Sequence, residues 1–396
     1  MKYKFQPHCT LCNKIPPKSN ILYLKKLPIT EILFKKPSRA KIFYDQKIKF
    51  CSECEHLSLT YLYDTGKFYN DSYMTSSTKA FSGRYANDIF YEFINKNLNK
   101  RKLNILEIGA NDLYLLNKFY KDKRINKAVA IDPTGKLDSN IKKIKIIKNF
   151  FEKVNQSQIS FVPDVVICGH TLEHIENPLY FLKKVMMLGN NKTKFFFQYP
   201  SCESLINRCS FDQIHHQHFN LFSLKSTSKI LGMVEAQIKE FDYCEEHYGA
   251  LMVYFEKQKS KFIKNKFIKI DYLKFNLNEV YSRYKLYIKN LTNVIKYYKK
   301  RKLKIYAIGG GLMFPIINYQ LNNIISLCDA ILDDDKKKIG KYFPNLNIRI
   351  KSLRNTDLKN SLVITTSTAS SISTRKINQL LFDKKPRIII NPSLTL

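Results

Sequence analysis

"NILEIGANDLYLL", residues 104–116, is a short apolar run that halts at one glycine and resumes at helical spacing. An apolar run of strand length that ends in glycine and opens a helix is the repeating unit of a parallel α/β sheet. Gly109 permits a tight turn and a close approach of backbone to a ligand. Glu107, Asn111 and Asp112 crowd the mouth of that turn. A dinucleotide fingerprint would place further glycines here, so that bare N–H groups could meet a pyrophosphate. This mouth is acidic instead, and an anion is the wrong guest for it.

Working outward, "SGRYANDIFYEFINKNL" has helical spacing, and "KAVAID", "PDVVICGH" and "KFFFQYP" read as buried strands. Strands alternating with helical segments predict a parallel sheet covered by helices. Asp132 closes "VAIDPTG" at the end of the second strand, where a carboxylate can accept from both hydroxyls of a ribose. A cationic group at the first turn and a ribose at the second describe S-adenosylmethionine (SAM), with Glu107, Gly109, Asn111, Asp112 and Asp132 as its expected contacts. "CGHTLEHIENP", residues 168–178, follows the third of these strands and offers His170, Glu173 and His174, with His170 expected to touch the cofactor. Phe150 and Phe151 read as an adenine cover or as plain core.

After residue 257 the chain turns rich in Lys, Tyr, Ile and Leu, and "VYSRYKLYIKNLTNVIKYYKK" predicts one long helix. A second strand, glycine turn and helix follow in "KLKIYAIGGGLMFPIINYQL", then strands "CDAILDD", "SLVITT" and "RIIINP". Bare N–H groups at Gly309, Gly310 and Gly311 suit a diphosphate. Before residue 55, Cys9, Cys12, Cys51 and Cys54 form two CxxC pairs. Two such knuckles can close a tetrahedral structural Zn2+ site, and the five later cysteines stand alone, as isolated thiols do. The expectation is therefore an α/β protein. A class I Rossmann-like methyltransferase core at 81–256 follows an N-terminal zinc-binding module at 1–80. A connecting helix and a smaller C-terminal Rossmann-like domain for substrate occupy 257–396.

The chain has 396 residues and a formal net charge of +34. Its lysines are spread over the whole length without a tight basic cluster interleaved with aromatics, so no nucleic-acid partner is expected, while an anionic substrate is favoured. "MKYKFQPHCTLCNK" reads without the apolar stretch of a signal peptide, and no later run reaches the length of a membrane span. A cytoplasmic protein without membrane partners is expected. Oligomeric state is not legible, and a monomer is compatible with the sequence.

The collinear order of CxxC…CxxC, "LPITEIL", "YNDSYMTSST", "LEIGANDLYLL", "IDP", "NFF", "FDQIHHQHFNLFSL" and "EEHYGAL" resembles the zinc-containing sugar C-methyltransferases. That family acts on nucleotide-linked keto-deoxysugars. "LDDDKKKIGKYFP" is similar to its third domain, with Asp333, Lys338, Gly340, Tyr342 and Pro344 at the family's spacing. The resemblance spans essentially the whole chain. It implies that a base removes the proton beside a ketone, that the enolate attacks the SAM methyl, and that configuration inverts. Carried over, the residues are the Glu246–His247 pair, His216 and His218, and Tyr73 with Tyr69 behind it. Gly309 to Gly311, Lys338 and Tyr342 become nucleotide-sugar contacts. Three departures stand out: His215-His216-Gln217-His218 replaces Tyr-His-Glu-His, Tyr248-Gly249 replaces Gly-Gly, and the third-domain turn lacks its lysine. They bear on the acceptor, and O-methylation of a sugar hydroxyl is the second reading. Strand alternation over "CEEHYGALMVYF" would put Glu245 and His247 on one face and Glu246 on the other, unless the chain bends before Gly249.

Overall fold

The computed structural model describes residues 2–30, 32–37, 42–64, 81–98, 102–134, 140–258, 276–311, 313–366 and 371–392. Tyr69 and Tyr73 lie outside them. The chain forms two compact units, and each is discontinuous in sequence. One comprises Met1–Pro17, Lys49–Glu203 and Gln217–Lys274; the other comprises Lys18–Ile48, Ser204–His216 and Phe275–Leu396. These units cut across the three consecutive blocks expected at 1–80, 81–256 and 257–396.

The first unit is built on seven strands: β1 (Leu103–Ile108), β2 (Ile125–Ile131), β3 (Ile144–Ile147), β4 (Val165–Gly169), β5 (Lys194–Tyr199), β6 (Ala236–Cys244) and β7 (Ala250–Lys257). Their order across the sheet is 3-2-1-4-5-7-6. The first five run parallel, β7 is antiparallel to β5, and β6 is antiparallel to β7. Near-continuous apolar runs suit strands whose two faces are both covered. Alternation then splits each strand between two cores. Leu106, Ile108, Val129, Ile131, Val166 and Cys168 face one core, whereas Ile105, Ala128, Ala130, Val165 and Ile167 face the other.

Helices Phe81–Lys96 and Tyr114–Lys121 pack on the second of these faces through Phe90, Ile94, Leu115, Leu116 and Phe119. Helices Pro178–Leu188 and Leu224–Gly232 cover the first through Phe181, Leu182, Val185 and Ile230. Helix Pro178–Leu188 starts where it does because Asn177 caps it, its side chain accepting from the Tyr180 N–H, and because Pro178 sits at its first turn, where no N–H is needed. Phe195, Phe196 and Phe197 are fully buried on β5, and Phe195 and Phe196 stack on Phe255 and Tyr254 of β7 at 5.2 and 4.8 Å. Burying each such ring contributes about 1.5–3 kcal/mol. Those stacks fix the antiparallel strand beside β5.

The second unit carries five parallel strands, β8 (Lys304–Ile308), β9 (Ala330–Asp333), β10 (Ile350–Ser352), β11 (Ser361–Thr365) and β12 (Ile388–Ile390). Their order is 3-2-1-4-5 counted along this unit, a doubly wound sheet. The long helix expected after residue 257 is Leu277–Lys300, capped by Asn276, and it buries Leu277, Tyr284, Ile288 and Ile295. Phe211, from the Ser204–His216 insertion, packs on Tyr281 and Tyr284 with ring centroids 4.9 and 5.1 Å away. Among the described residues no helix is long and apolar enough to cross a membrane.

Candidate active site

The glycine turn after β1 is built as its sequence requires. Gly109 has φ +75°, and a Cβ placed there would lie 1.9 Å from Thr171 Oγ1. Both the backbone and the neighbour exclude a side chain. The N–H groups of Gly109 and Ala110 donate to the Ile131 carbonyl, which ties the turn to the end of β2. Asn111 follows at φ +46° and donates its N–H to Asp132 Oδ2 at 2.9 Å. The N–H and hydroxyl of Thr134 donate to Asp132 Oδ1 at 2.8 and 2.6 Å. Asp132 is thereby locked in place; Oδ1 already accepts two bonds, and Oδ2, which accepts one, keeps a second lone pair for a ribose hydroxyl.

Glu107 is buried, and its Oε2 makes no hydrogen bond among the described residues. Burial, followed by the charges of Asp132 and Asp112, pushes its carboxyl well above the usual range. Three acids within reach of one turn are poised for a cationic ligand, which would relieve that repulsion. SAM fits these residues in charge and in hydrogen-bonding capacity.

Beyond β4 the chain passes through His170, in the left-handed region at φ +47°, into a 3-10 turn at Leu172–His174. The His170 N–H donates to the Gln198 carbonyl at the end of β5. On the far side of β5, the turn between β6 and β7 carries His247, held by a bond from its N–H to the Cys244 carbonyl. The two rings meet edge to face with centroids 4.9 Å apart. His170 Nδ1 lies 3.4 Å from Glu173 Oε1. His174 in turn lies beside His218, with ring centroids 5.1 Å apart. Four imidazoles and a carboxylate thus line up beside the Gly109 turn, with His170 one residue from the hydroxyl that packs on Gly109. Among the described residues, the buried side-chain atoms His170 Nε2, His247 Nδ1, Glu173 Oε2 and Gln198 Nε2 have no hydrogen-bond partner. Unpaired buried polar atoms cost about 1–3 kcal/mol each, so their concentration here marks a place for a ligand.

His247 stands in the five-residue turn between Cys244 and Ala250, so the chain does bend before Gly249. Tyr248 and Gly249 both take positive φ, +58° and +63°, and the Tyr248 ring rests on His247 at 4.8 Å. Burial, and secondarily the His170 ring, holds the His247 imidazole well below its ordinary pKa, so it is neutral near pH 7. Glu246 is half-buried in the same turn, and Glu245 is exposed.

His216 does not join this array. It belongs to the second unit, where Nε2 pairs with the Leu27 carbonyl at 3.1 Å and Nδ1 with the Gln46 amide at 3.3 Å. Burial lowers its pKa to about 4. Both ring nitrogens of His216 are thus occupied, and the residue is buried. Thr171 and Gln198 belong to no motif that marks them in the sequence. Gln198 sits in an apolar strand, where a polar residue with no surface to face was the one available signal. Phe151 belongs to the core, edge to face with Phe181 at 5.1 Å, rather than to an adenine cover.

In the second unit Gly309 takes φ +100° after β8, and a Cβ on Gly310 would lie 3.3 Å from Asp333 Oδ2. Lys338 pairs with that carboxylate at 3.1 Å. Tyr342 exchanges both backbone hydrogen bonds with Phe34. The helix after the glycines, Phe314–Gln320, has only seven residues, so its dipole adds little to an anion site.

The sulfurs of Cys9, Cys12, Cys51 and Cys54 lie within 4.8 Å of one another. Lys229 donates to Cys54 Sγ at 3.1 Å, and the Leu11 N–H points at Cys9 Sγ at 3.5 Å. Four thiols this close cannot all ionise unaided: the Cys9 thiol is pushed up to about 11 by its hydrogen bond to Cys51, while the Cys51 thiol is pushed down by hydrogen bonds from Cys54 and Cys9. A closed four-sulfur set with a lysine beside it fits a tetrahedral divalent cation in charge and donor type.

Residues 82–233 match the family model described as a methyltransferase domain. The match covers β1 to β5 and both strand ends built above. The chain therefore carries a class I Rossmann-like methyltransferase core, and the enzyme is a SAM-dependent methyltransferase. No curated protein matches the sequence. Among solved structures, the chain is similar to the 1,6-didemethyltoxoflavin-N1-methyltransferase of Burkholderia thailandensis, at 11% identity over 46% of this chain and 80% of that one, with a TM-score of 0.34. It is likewise similar to the magnesium protoporphyrin IX methyltransferase of Synechocystis PCC 6803, at 11% identity over 45% of this chain and 84% of that one, with a TM-score of 0.36.

Proposed function

We propose that the enzyme methylates carbon in a nucleotide-linked keto-deoxysugar. The observation that carries this reading is the meeting of His170 and His247 at 4.9 Å beside the cofactor turn. SAM, when bound, supplies an electrophilic methyl group. Glu107, Asn111, Asp112 and Asp132 hold its charged and ribose ends, and Gly109 leaves room for the backbone to close on it. His247, neutral at pH 7 through burial, can take up a proton from the acceptor; Glu246, its neighbour in the turn, would tune it. His170 and the Gln198 amide offer N–H groups to an oxygen that gains charge as the proton leaves. His218 stands across from His174 on the other side of the array. Zn2+ at the four cysteines would be structural, since a closed thiolate shell leaves no open position. Gly309 to Gly311, Lys338 and Tyr342 remain the proposed nucleotide contacts, with Lys338 exchanging part of its pairing with Asp333 for phosphate.

Incubation with methyl-labelled SAM and a keto-sugar nucleotide in deuterated water should give transfer together with loss of the proton alpha to the ketone. Transfer with that proton retained would exclude a carbon acceptor. His247→Ala should cut turnover at least 100-fold while the stabilisation by S-adenosylhomocysteine persists. The depressed basicity of His247 favours one second reading, O-methylation of a sugar hydroxyl, because a hydroxyl proton needs a weaker base than a carbon acid. NMR of the product, with the methyl on oxygen, would establish it.

A further inference from the structure

The 3-10 turn after β4 and the segment leading to helix Leu224–Gly232 bring Glu173, His174 and His218 together, with ligand atoms within 4.8 Å of one another. All three belong to the first unit, and none is a member of the four-cysteine cluster. Glu173 is only 1% exposed, and among the described residues its Oε2 has no hydrogen-bond partner and it pairs with no lysine or arginine. In a chain with 67 lysines and arginines, a buried carboxylate left to imidazoles alone is conspicuous. A buried charge is costly unless paired or bound to a metal.

The neighbouring imidazole explains what the pairing would be. His174 Nδ1 lies 2.8 Å from the Gln217 carbonyl oxygen, which can only accept, so Nδ1 carries the hydrogen and donates. The other ring nitrogen, Nε2, lies 3.9 Å from Glu173 Oε1. Fixing one imidazole nitrogen on a backbone carbonyl while the other is offered as a ligand is the usual outer-shell arrangement of a metal-bound histidine.

We propose that Glu173, His174 and His218 bind a divalent transition-metal ion in a two-histidine, one-carboxylate site distinct from the four-cysteine site. Bonds of about 2.0–2.2 Å require donor atoms about 3–4 Å apart, so the group closes by side-chain adjustment alone. Three protein ligands leave a position open, and an acceptor oxygen placed there would be polarised, whether ketone or hydroxyl. The proposal rests on these three side chains and not on the sugar reading.

The test uses the full-length protein with its cysteine site loaded with zinc, probed with Mn2+ by electron paramagnetic resonance and with Ni2+ by calorimetry. Nitrogen and carboxylate donors accept both ions, and zinc content measured in parallel reports the thiolate site. The wild type should bind one equivalent of probe per chain, and His218→Ala and Glu173→Gln should each weaken it at least tenfold while zinc content stays at one. His174→Gln serves as a third variant should Glu173→Gln fail to fold. Absence of probe binding by the wild type at millimolar metal would overturn the proposal. So would binding that none of the folded variants changes. Methyl transfer to carbon or to oxygen would leave either result standing, so failure here is separable from failure of the keto-sugar reading.

Discussion

Gly109 is held by two independent constraints, a positive φ and the Thr171 hydroxyl that occupies the space of a Cβ. Gly109→Ala should therefore abolish the thermal stabilisation given by S-adenosylhomocysteine and destabilise the protein by about 2–3 kcal/mol. Adding Thr171→Ala should recover part of the stability but not all of it, because the φ of +75° remains unfavourable for alanine. Full recovery in a urea melt would mean that sterics alone governs this turn. Glycine was legible in the sequence, yet the reason for it was only half legible. The turn predicted the backbone conformation, whereas Thr171, sixty residues or so further on, contributes through the close approach of β4 to β1. Histidine behaves oppositely. Four of the chain's imidazoles gather beside the Gly109 turn, while His216, two positions from His218, is sealed against Leu27 and Gln46. Adjacency in sequence told nothing about which of them shares a site.

At the scale of elements, β1, β2, β4 and β5 announce themselves as apolar runs because both faces of each are buried. The strands β3 and β6 were not read from the sequence. "IKII" is too short to stand out among lysines, and "AQIKEFDYC" on the sheet edge has few fully buried positions. The long helix after residue 276 and the strands β8, β9, β11 and β12 were legible for the same reason as the central strands. The cysteine knuckles were legible from spacing, but their supporting lysine was not. Lys229, at the C-terminal turn of helix Leu224–Gly232, reaches Cys54 from far along the chain. An ammonium hydrogen-bonded to a ligand thiolate offsets charge on a four-thiolate centre, so Lys229→Ala should lower zinc affinity about 10- to 100-fold in a chelator competition. Unchanged affinity would show the contact to be incidental.

At the scale of the whole molecule, the chain enters and leaves each unit more than once. Phe211 lies between β5 and β6 in sequence but packs on Tyr281 and Tyr284 of the second unit, where the Gln320 amide also donates to its carbonyl. Ending the chain after residue 256 should therefore leave Phe211 and strand Ile21–Pro28 without their cover. Such a fragment should bind a hydrophobic dye strongly and unfold without cooperativity; a soluble fragment with a sharp thermal transition would contradict the interleaved units. By itself the sequence determined the strand ends that define a SAM-binding turn, the four cysteines spaced for a metal and the two doubly wound sheets. These are local matters of periodicity, glycine and ligand spacing. Only the tertiary structure decided which acids and imidazoles meet. The order 3-2-1-4-5-7-6 sets the end of β4 and the β6–β7 turn on either side of β5, and that alone brings His170 to His247. Side-chain proximity across a sheet depends on strand order and register, which no local pattern encodes.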